Sequence, residues 1–389
     1  MYKPTYTILR SESLAPPAIG NLGGALESTT PQEVRIEETQ LELTDRNDLR
    51  RDPRTRAIAI TMPMKLIEPV AKADAAPAAA NTWGIEAVNA HNSPFDGSGI
   101  TVAVLDTGID LTHPAFAGVD IVRKNFTTEA DDDLHGHGTH CAGTIFGQDI
   151  NGTRIGIARN VQHALIGKVL GQGGGSSTSI SQAINWAIDS GANVISMSLG
   201  IDFPGFVDYL VNQQGLPIPA ATSIALEGYR SNINLFTELS RFVAANNAFG
   251  PGTVIMAASG NESERPEYEI AVAPPAASTG MIAVGALGQS STGLTVASFS
   301  NNQVDVSAPG VGVVSARLGG GLVSMSGTSM ATPHTAGIAA LWAQRQLDMT
   351  GNINQLTLLA QVIASGTMVP LAPGSEAEDV GTGIVQAPL

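Results

Sequence analysis

Ser329 lies in the run GTSMATPH, where a Gly/Ser-rich turn leads into an apolar stretch with helical spacing, Ile338, Leu341 and Trp342 falling on one face. A serine at a helix start faces unpaired backbone N–H groups and the positive end of the helix dipole, a setting that favours developing negative charge. An unactivated hydroxyl is a poor nucleophile, so such chemistry needs a base, an acid that orients the base, and a donor for the oxyanion. Asp106 closes the apolar run ITVAVLD. A carboxylate at a buried strand end is costly unless paired, and an imidazole N–H is a suitable partner; an ordinary turn aspartate capping the next loop is the alternative. His137 lies between Gly136 and Gly138 in LHGHGTHCAGT and opens a second helix, which holds its ring in a fixed direction. Metal binding is the rival reading, since His135, His137 and His140 are close together. Helical zinc sites use an i,i+4 pair with a further ligand, whereas His137 and His140 are i,i+3 and no HExxH occurs. Asn261 ends VIMAASGN, where a side-chain amide just past a strand can donate to an oxyanion or simply make a turn.

These residues need a scaffold that brings distant strand ends together. From Ile100 onward strand-like and helix-like segments alternate. Strands are expected at 100–106, 161–169, 193–198, 253–258 and 281–286, and helices at His137–Phe146, Ser179–Asp189 and Asn234–Ala245. Near-continuous apolar strands between helices predict an α/β fold with a mostly parallel central sheet covered on both faces, in which ligands bind beyond the carboxyl ends of strands. Asp106, Ser198 and Asn261 all lie at such ends. Residues 1–70 read as a separate small α+β segment, with strands at Thr5–Arg10 and Arg56–Met62 and charged, helix-capable sequence between them. The stretch KADAAPAAA (72–80) has the small-residue and proline content of an exposed, cleavable tether.

The chain has 389 residues, is 43% hydrophobic and 14% charged, and can therefore bury a large core. Its net charge of −15 argues against nucleic acid or an anionic membrane as partner. The imbalance lies after residue 70, since residues 1–70 carry 10 acidic and 9 basic side chains. One cysteine, Cys141, excludes an intramolecular disulfide and reads as a small buried apolar residue. No apolar run approaches ~20 residues, so no transmembrane helix is expected. The N-terminal sequence lacks the pattern of a secretory signal, which suggests a cytoplasmic protein; secretion after signal removal, or by a non-classical route, is the alternative.

The order Asp…His…Ser on an alternating α/β chain differs from that of α/β-hydrolases and of chymotrypsin-like barrels. The stretches VAVLDTGIDLTHP, HGTHCAGT, SMSLG, ASGN and GTSMATPHTAG, in this order between about Trp83 and Gly383, closely resemble the subtilisin family of serine peptidases. The resemblance implies Ser329 as nucleophile, His137 as general base, Asp106 as its orienting acid, and Asn261 with the Ser329 N–H as oxyanion donors. It implies that Gly173, Gly174 and Gly175, with Ser198, Leu199 and Gly200, are edge segments pairing with an extended substrate. Ala258, Ser259 and Gly260 would wall the first specificity pocket and Ala273 lie near its base, favouring a mid-sized apolar or aromatic residue before the scissile bond. Residues 1–70 would be an inhibitory propeptide, 71–82 a linker holding the maturation site (new N-terminus between Ala71 and Asn81), and 83–389 the catalytic domain, with 201–250 an insertion. Partners would be protein or peptide substrates and the chain's own propeptide, with a monomeric enzyme and no cofactor for catalysis.

Structural calcium is the open point. Many family members bind it through an aspartate where this chain has Ala115, and through a loop oxygen where it has Ile150. Calcium prefers several hard oxygens. Asp149 and Asn151 could serve a rearranged site, and Asp131–Asp133 are either a second ion site or a solvated acidic loop. His113 and His334 read as structural.

Overall fold

The computed structural model describes residues 2–12, 33–75, 80–246 and 250–389. The N-terminal part contains β1 (Thr5–Ser11), β2 (Val34–Gln40), α1 (Leu43–Arg51) and β3 (Thr55–Ile60), with β1 central in an antiparallel sheet of order β2-β1-β3. The sequence anticipates β1 and β3 to within two residues at each end but not β2. That strand forms because it can pair with β1 along its whole length, Ile8 facing Glu37 and Leu9 facing Ile36. Two short strands follow, β4 (Pro63–Leu66) and β5 (Ala71–Ala75). The first part of the exposed tether expected from residue 72 is thus paired as well as exposed. Residues 71–75 form a strand, while residues 76–79 lie outside the described residues.

The remainder begins with α2 (Trp83–Ala87), β6 (Thr101–Asp106) and β7 (Asp120–Asn125), then α3 (His137–Phe146), β8 (His163–Lys168), β9 (Gly175–Ser176) and α4 (Ser177–Asp189). Next come β10 (Val194–Met197), β11 (Leu199–Ile201), α5 (Phe203–Asn212), α6 (Ile218–Ala245) and β12 (Val254–Ala258). β13 (Ile282–Ser290), β14 (Gly293–Val296), β15 (Val306–Pro309), β16 (Val313–Ala316), β17 (Leu322–Ser326) and α7 (Thr328–Thr350) follow, with short helices beyond. The main sheet has the order β14-β13-β12-β10-β6-β8-β7, with β15 also on β13, and only the β13–β14 pair is antiparallel.

Both faces of the parallel strands are apolar because each covers a different core. Val102 and Val104 of β6 join the core of α3 and α7, whereas Ala103 and Leu105 join the core of α4 and α6. This two-residue alternation explains why the strands read as continuous apolar runs. The anticipated helix at 234–245 extends back to residue 218 and is preceded by α5. Its buried face runs through Ala221, Ala225, Gly228, Asn232 and Leu235, helically spaced but too small or polar at most positions to register as apolar periodicity. Small side chains there let the N-terminal part approach closely. A Cβ on Gly228 would lie 2.8 Å from Met62 Sδ, and Asn232 Nδ2 donates to Ile60 O at 2.8 Å. Among the described residues no helix is long and apolar enough to cross a membrane.

Candidate active site

Asp106 is the last residue of β6, and 99% of its surface is buried. Its Oδ1 accepts from Thr107 N at 2.7 Å and pairs with His137 Nδ1 at 2.8 Å. His137 is the first residue of α3, and Gly136 before it has φ 90°, a left-handed conformation that glycine adopts without strain. Gly138 is required for contact, since a Cβ there would meet Gly108 O at 2.2 Å. Burial is the largest single influence on His137 and pulls its pKa down, but the Asp106 carboxylate and the neighbouring Cys141 sulfur together outweigh it and hold the imidazole well above its usual value.

Ser329 is the second residue of α7 and is buried. Cys141 Sγ links it to the histidine, lying 3.8 Å from His137 Nδ1 and 3.4 Å from Ser329 O. Burial raises the thiol's pKa, so Cys141 stays a neutral packing group. Asn261, just beyond β12, accepts from Thr328 N and Thr328 Oγ1, each at 2.9 Å, through Oδ1. That fixes the amide with its N–H group toward the serine's surroundings. Thr328 is a site residue that sequence reading missed, although it stands beside Ser329.

A segment of the chain itself crosses this site. β4 lies between β9 and β11 as an antiparallel strand, with Lys65 opposite Gly200, Leu66 opposite Leu199 and Met64 opposite Gly175. Ile67 N donates to Ser198 O at 3.3 Å. Ile67 O then accepts from Ser329 Oγ at 2.6 Å, and Glu68 O accepts from Asn261 Nδ2 at 2.8 Å. Beyond Pro69 the segment continues as β5, antiparallel to β17, with Ala71 opposite Ser326 and Ala75 opposite Leu322. Meanwhile His137 Nε2 makes no hydrogen bond. The sequence around 63–75 carries no motif that announces this path, because the pairing is made by backbone.

The expected edge segments meet β4 except at one end. Gly174 and Gly175 approach Met64, while Gly173 sits in a turn closed by Gly171 and Gly174 and contributes no rung. Ala258 ends β12 and Ser259 and Gly260 follow it, with Ser259 tied by its N–H to Val284 O. Ala273 precedes Pro274, whose carbonyl takes Ile201 N at 3.0 Å. A Cβ on Gly200 would lie 3.7 Å from Ile67 Cδ1 and 3.9 Å from Pro274 O, so the Ile67 side chain occupies the hollow beside these segments.

The three clustered histidines do not converge. His140 Nε2 contacts Val313 O at 3.1 Å, and burial lowers its pKa to about 3, while His135 lies 3.4 Å from the Glu68 carboxylate. Among the described residues the one group with metal-ligand geometry is Asp106, His137 and Cys141. His113 bonds Gly321 O, and His334 bonds Met330 O, both as structural groups.

The residues present do not suit the family's calcium site. Ala115 and Ile150 are buried in the apolar core, and Asp149 is engaged by Arg159 at 3.2 Å. Arg154 places its own cation in the loop, donating to Gly156 O at 3.1 Å, Ile157 O at 3.0 Å and Ala90 O at 3.4 Å. The acidic triplet fits the solvated reading at Asp131 and Asp132, which are exposed, and departs from it at Asp133. Asp132 pairs with Arg123, the Lys168 ammonium donates to Ala130 O and Asp132 O, and Asp133 is buried. Strong chelation is therefore expected to leave the melting temperature unchanged, whereas Arg154→Met should lower it by several degrees, consistent with about 1–3 kcal/mol for unpaired buried carbonyls. Thermal denaturation with and without chelator checks both, and a drop on chelation alone would contradict this account.

The sequence matches known relatives. Residues 97–374 match the subtilase family model. The chain is 38% identical over 253 residues, 64% of its length, to a thermophilic serine proteinase from Bacillus sp. (strain AK1), of which the match takes in 53%. It is 30% identical over 324 residues, 82% of its length, to a thermostable alkaline protease from Halalkalibacterium halodurans, covering 76% of that relative. It is 36% identical over 270 residues, 68% of its length, to Subtilisin Savinase from Lederbergia lenta, covering 84% of that protein. The chain thus spans from about half to most of the length of these relatives. With more than two thirds of it matched by one family model and a buried Asp–His pair beside a helix-start serine, the chain belongs to the subtilase family.

Proposed function

We propose that this protein is a serine endopeptidase made as a zymogen, with residues 1–70 as propeptide, 71–82 as the linker cut on maturation and 83–389 as the catalytic domain. The observation that carries the reading is the extended segment 63–75, paired on both sides of Ser329 with one carbonyl at the serine hydroxyl and the next at the Asn261 amide. Strand addition of this kind takes affinity from main-chain hydrogen bonds and selectivity from side-chain pockets. A peptide substrate would use the same ladders.

In the reaction, Ser329 Oγ attacks the scissile carbonyl carbon while its proton passes to His137 Nε2. Asp106 holds Nδ1–H and stabilises the imidazolium. Asn261 Nδ2 and the Ser329 N–H receive the oxyanion, and His137 then gives its proton to the leaving amine. Water repeats the sequence on the acyl-enzyme. No metal or organic cofactor takes part in these steps. The Ile67 side chain beside Gly200 supports a preference for a mid-sized apolar residue before the scissile bond.

The bound segment opposes turnover in two ways. Ser329 gives its hydrogen bond to Ile67 O, leaving His137 Nε2 without one. The carbonyl at Asn261 belongs to Glu68, whose peptide bond leads to a proline.

A fluorophosphonate should label the matured protein, and Ser329→Ala should abolish both labelling and peptide hydrolysis. Absence of labelling in protein shortened to begin between Ala71 and Asn81 would sink the peptidase reading. N-terminal sequencing of matured product checks the linker assignment; a product beginning at Glu68 would move the cut to the bond against Ser329.

The raised His137 pKa sets a pH dependence with opposite signs for activity and stability. The Asp106–imidazolium pair contributes stability that is fully present below the ordinary histidine value and fades as pH rises through the raised one. A general base must be neutral, so kcat/KM should climb over that same upper interval. Asp106→Asn should move this limb to lower pH. A pH–rate profile checks it, and a limb at or below the ordinary histidine value of the wild type would contradict it.

A further inference from the structure

We infer that Asp133 is a positioning residue for the reaction, holding the His137 turn against the end of β6 through Thr107. This rests on the peptidase reading above. Asp133 is 97% buried and accepts five hydrogen bonds. Its Oδ1 receives Thr107 Oγ1 at 2.9 Å, His135 N at 3.0 Å and Gly136 N at 2.8 Å. Its Oδ2 receives Thr139 N at 3.0 Å and Thr139 Oγ1 at 2.7 Å.

Two features make this more than loop packing. The first is the helix start. Gly136 caps α3 and has no side chain to satisfy the first-turn N–H groups, so Asp133 reaches in from three residues upstream and takes that duty. A carboxylate also suits the positive end of the helix dipole. His137 is the first residue of that helix, so its backbone direction is set by what Asp133 holds.

The second is the link to Asp106. Thr107 Oγ1 donates to Asp133 and accepts from Gly138 N at 3.0 Å, while Thr107 N donates to Asp106 Oδ1. One threonine therefore touches the carboxylate that orients the imidazole, the residue after the imidazole, and the buried carboxylate beneath both. The path Asp106–Thr107–Asp133–Gly136 closes a ring around the Asp106–His137 bond. Burial works to raise the Asp133 carboxyl, but the hydrogen bonds from Thr139, Gly136 and His135 hold it below its usual value, so it stays an acceptor on both oxygens.

An asparagine at 133 keeps the shape but turns an N–H group toward donors, breaking part of the ring. Asp133→Asn and Thr107→Val are expected to lower kcat for peptide hydrolysis on the order of 10- to 100-fold, as small misplacements of catalytic groups do, with KM within about twofold. Thr107→Ser keeps the hydroxyl and should restore kcat. Asp305→Asn, which alters a part-buried carboxylate holding Ala283 N outside the site, serves as the stability control and should leave kcat unchanged. The second readout does not depend on turnover. The downfield His137 Nδ1–H proton resonance reports the bond to Asp106, and it should weaken or move upfield in Asp133→Asn and Thr107→Val but persist in Thr107→Ser and Asp305→Asn. If wild type hydrolyses nothing, the peptidase reading fails while this resonance still tests the positioning role. If Asp133→Asn does not fold, Thr107→Val decides. Folded Thr107→Val with an unchanged resonance overturns the proposal, as does unchanged kcat in an active enzyme.

Discussion

The constraint on which this molecule turns is the burial of a charged carboxylate against an imidazole at the end of the central sheet. Asp106 and His137 are almost wholly removed from water and share one 2.8 Å contact. Taking such groups out of solvent is costly, and the cost is offset only when geometry is held and the remaining polar atoms find partners. The surrounding architecture holds that geometry. A parallel sheet delivers the aspartate at a strand end, an adjacent helix delivers the histidine at its first residue, and Thr107 N shares the aspartate's Oδ1, while Asp106 Oδ2 and His137 Nε2 stay without a hydrogen bond. The helix of Ser329 packs against the helix of His137 on the same face of the sheet, so two residues almost two hundred positions apart come to the same site.

The same open strand edges that would receive a peptide here receive the chain's own segment. β9, β11 and β17 offer unpaired backbone groups, and β4 and β5 take them up in succession. Competition between self and substrate is thus a competition for identical hydrogen bonds. Each is worth about 0.5–1.5 kcal/mol net, and they act together only while the segment stays tethered. The tether is the N-terminal sheet resting on α6, whose small-residue face lets Met62 and Ile60 seat closely. The segment across the site and its anchor are therefore coupled: loosening the sheet lowers the local concentration of the segment.

How much of this could be read beforehand followed from the range of the interactions involved. Five of the eight strands of the main sheet (β6, β8, β10, β12 and β13), the helices at His137 and Ser329, and the residues Asp106, His137, Ser329 and Asn261 were legible because each is marked by local pattern, such as apolar runs ended by a polar residue or glycines flanking a polar side chain. The early half of α6 was hidden because its buried face is built from alanine, glycine and asparagine. β2 was hidden because only its partner makes it a strand. Asp133 was misleading for the opposite reason. Three consecutive aspartates suggest solvent or an ion, yet burial of the third is possible once Thr107, Thr139 and three backbone N–H groups converge on it.

By itself the sequence determined the family and the α/β scaffold, and it marked Asp106, His137, Asn261 and Ser329, in that order, as candidates for one site, since all of these are written in short-range pattern and motif. Only the tertiary structure decided that residues 63–75 lie across the site, that Ser329 gives its hydrogen bond to Ile67 rather than to His137, and that the Arg154 guanidinium stands among backbone carbonyls in the loop after α3. The physical reason is that backbone pairing and buried cation placement depend on which chain segments meet. Their meeting is set by the packing of the whole molecule and leaves no mark in the residues that take part.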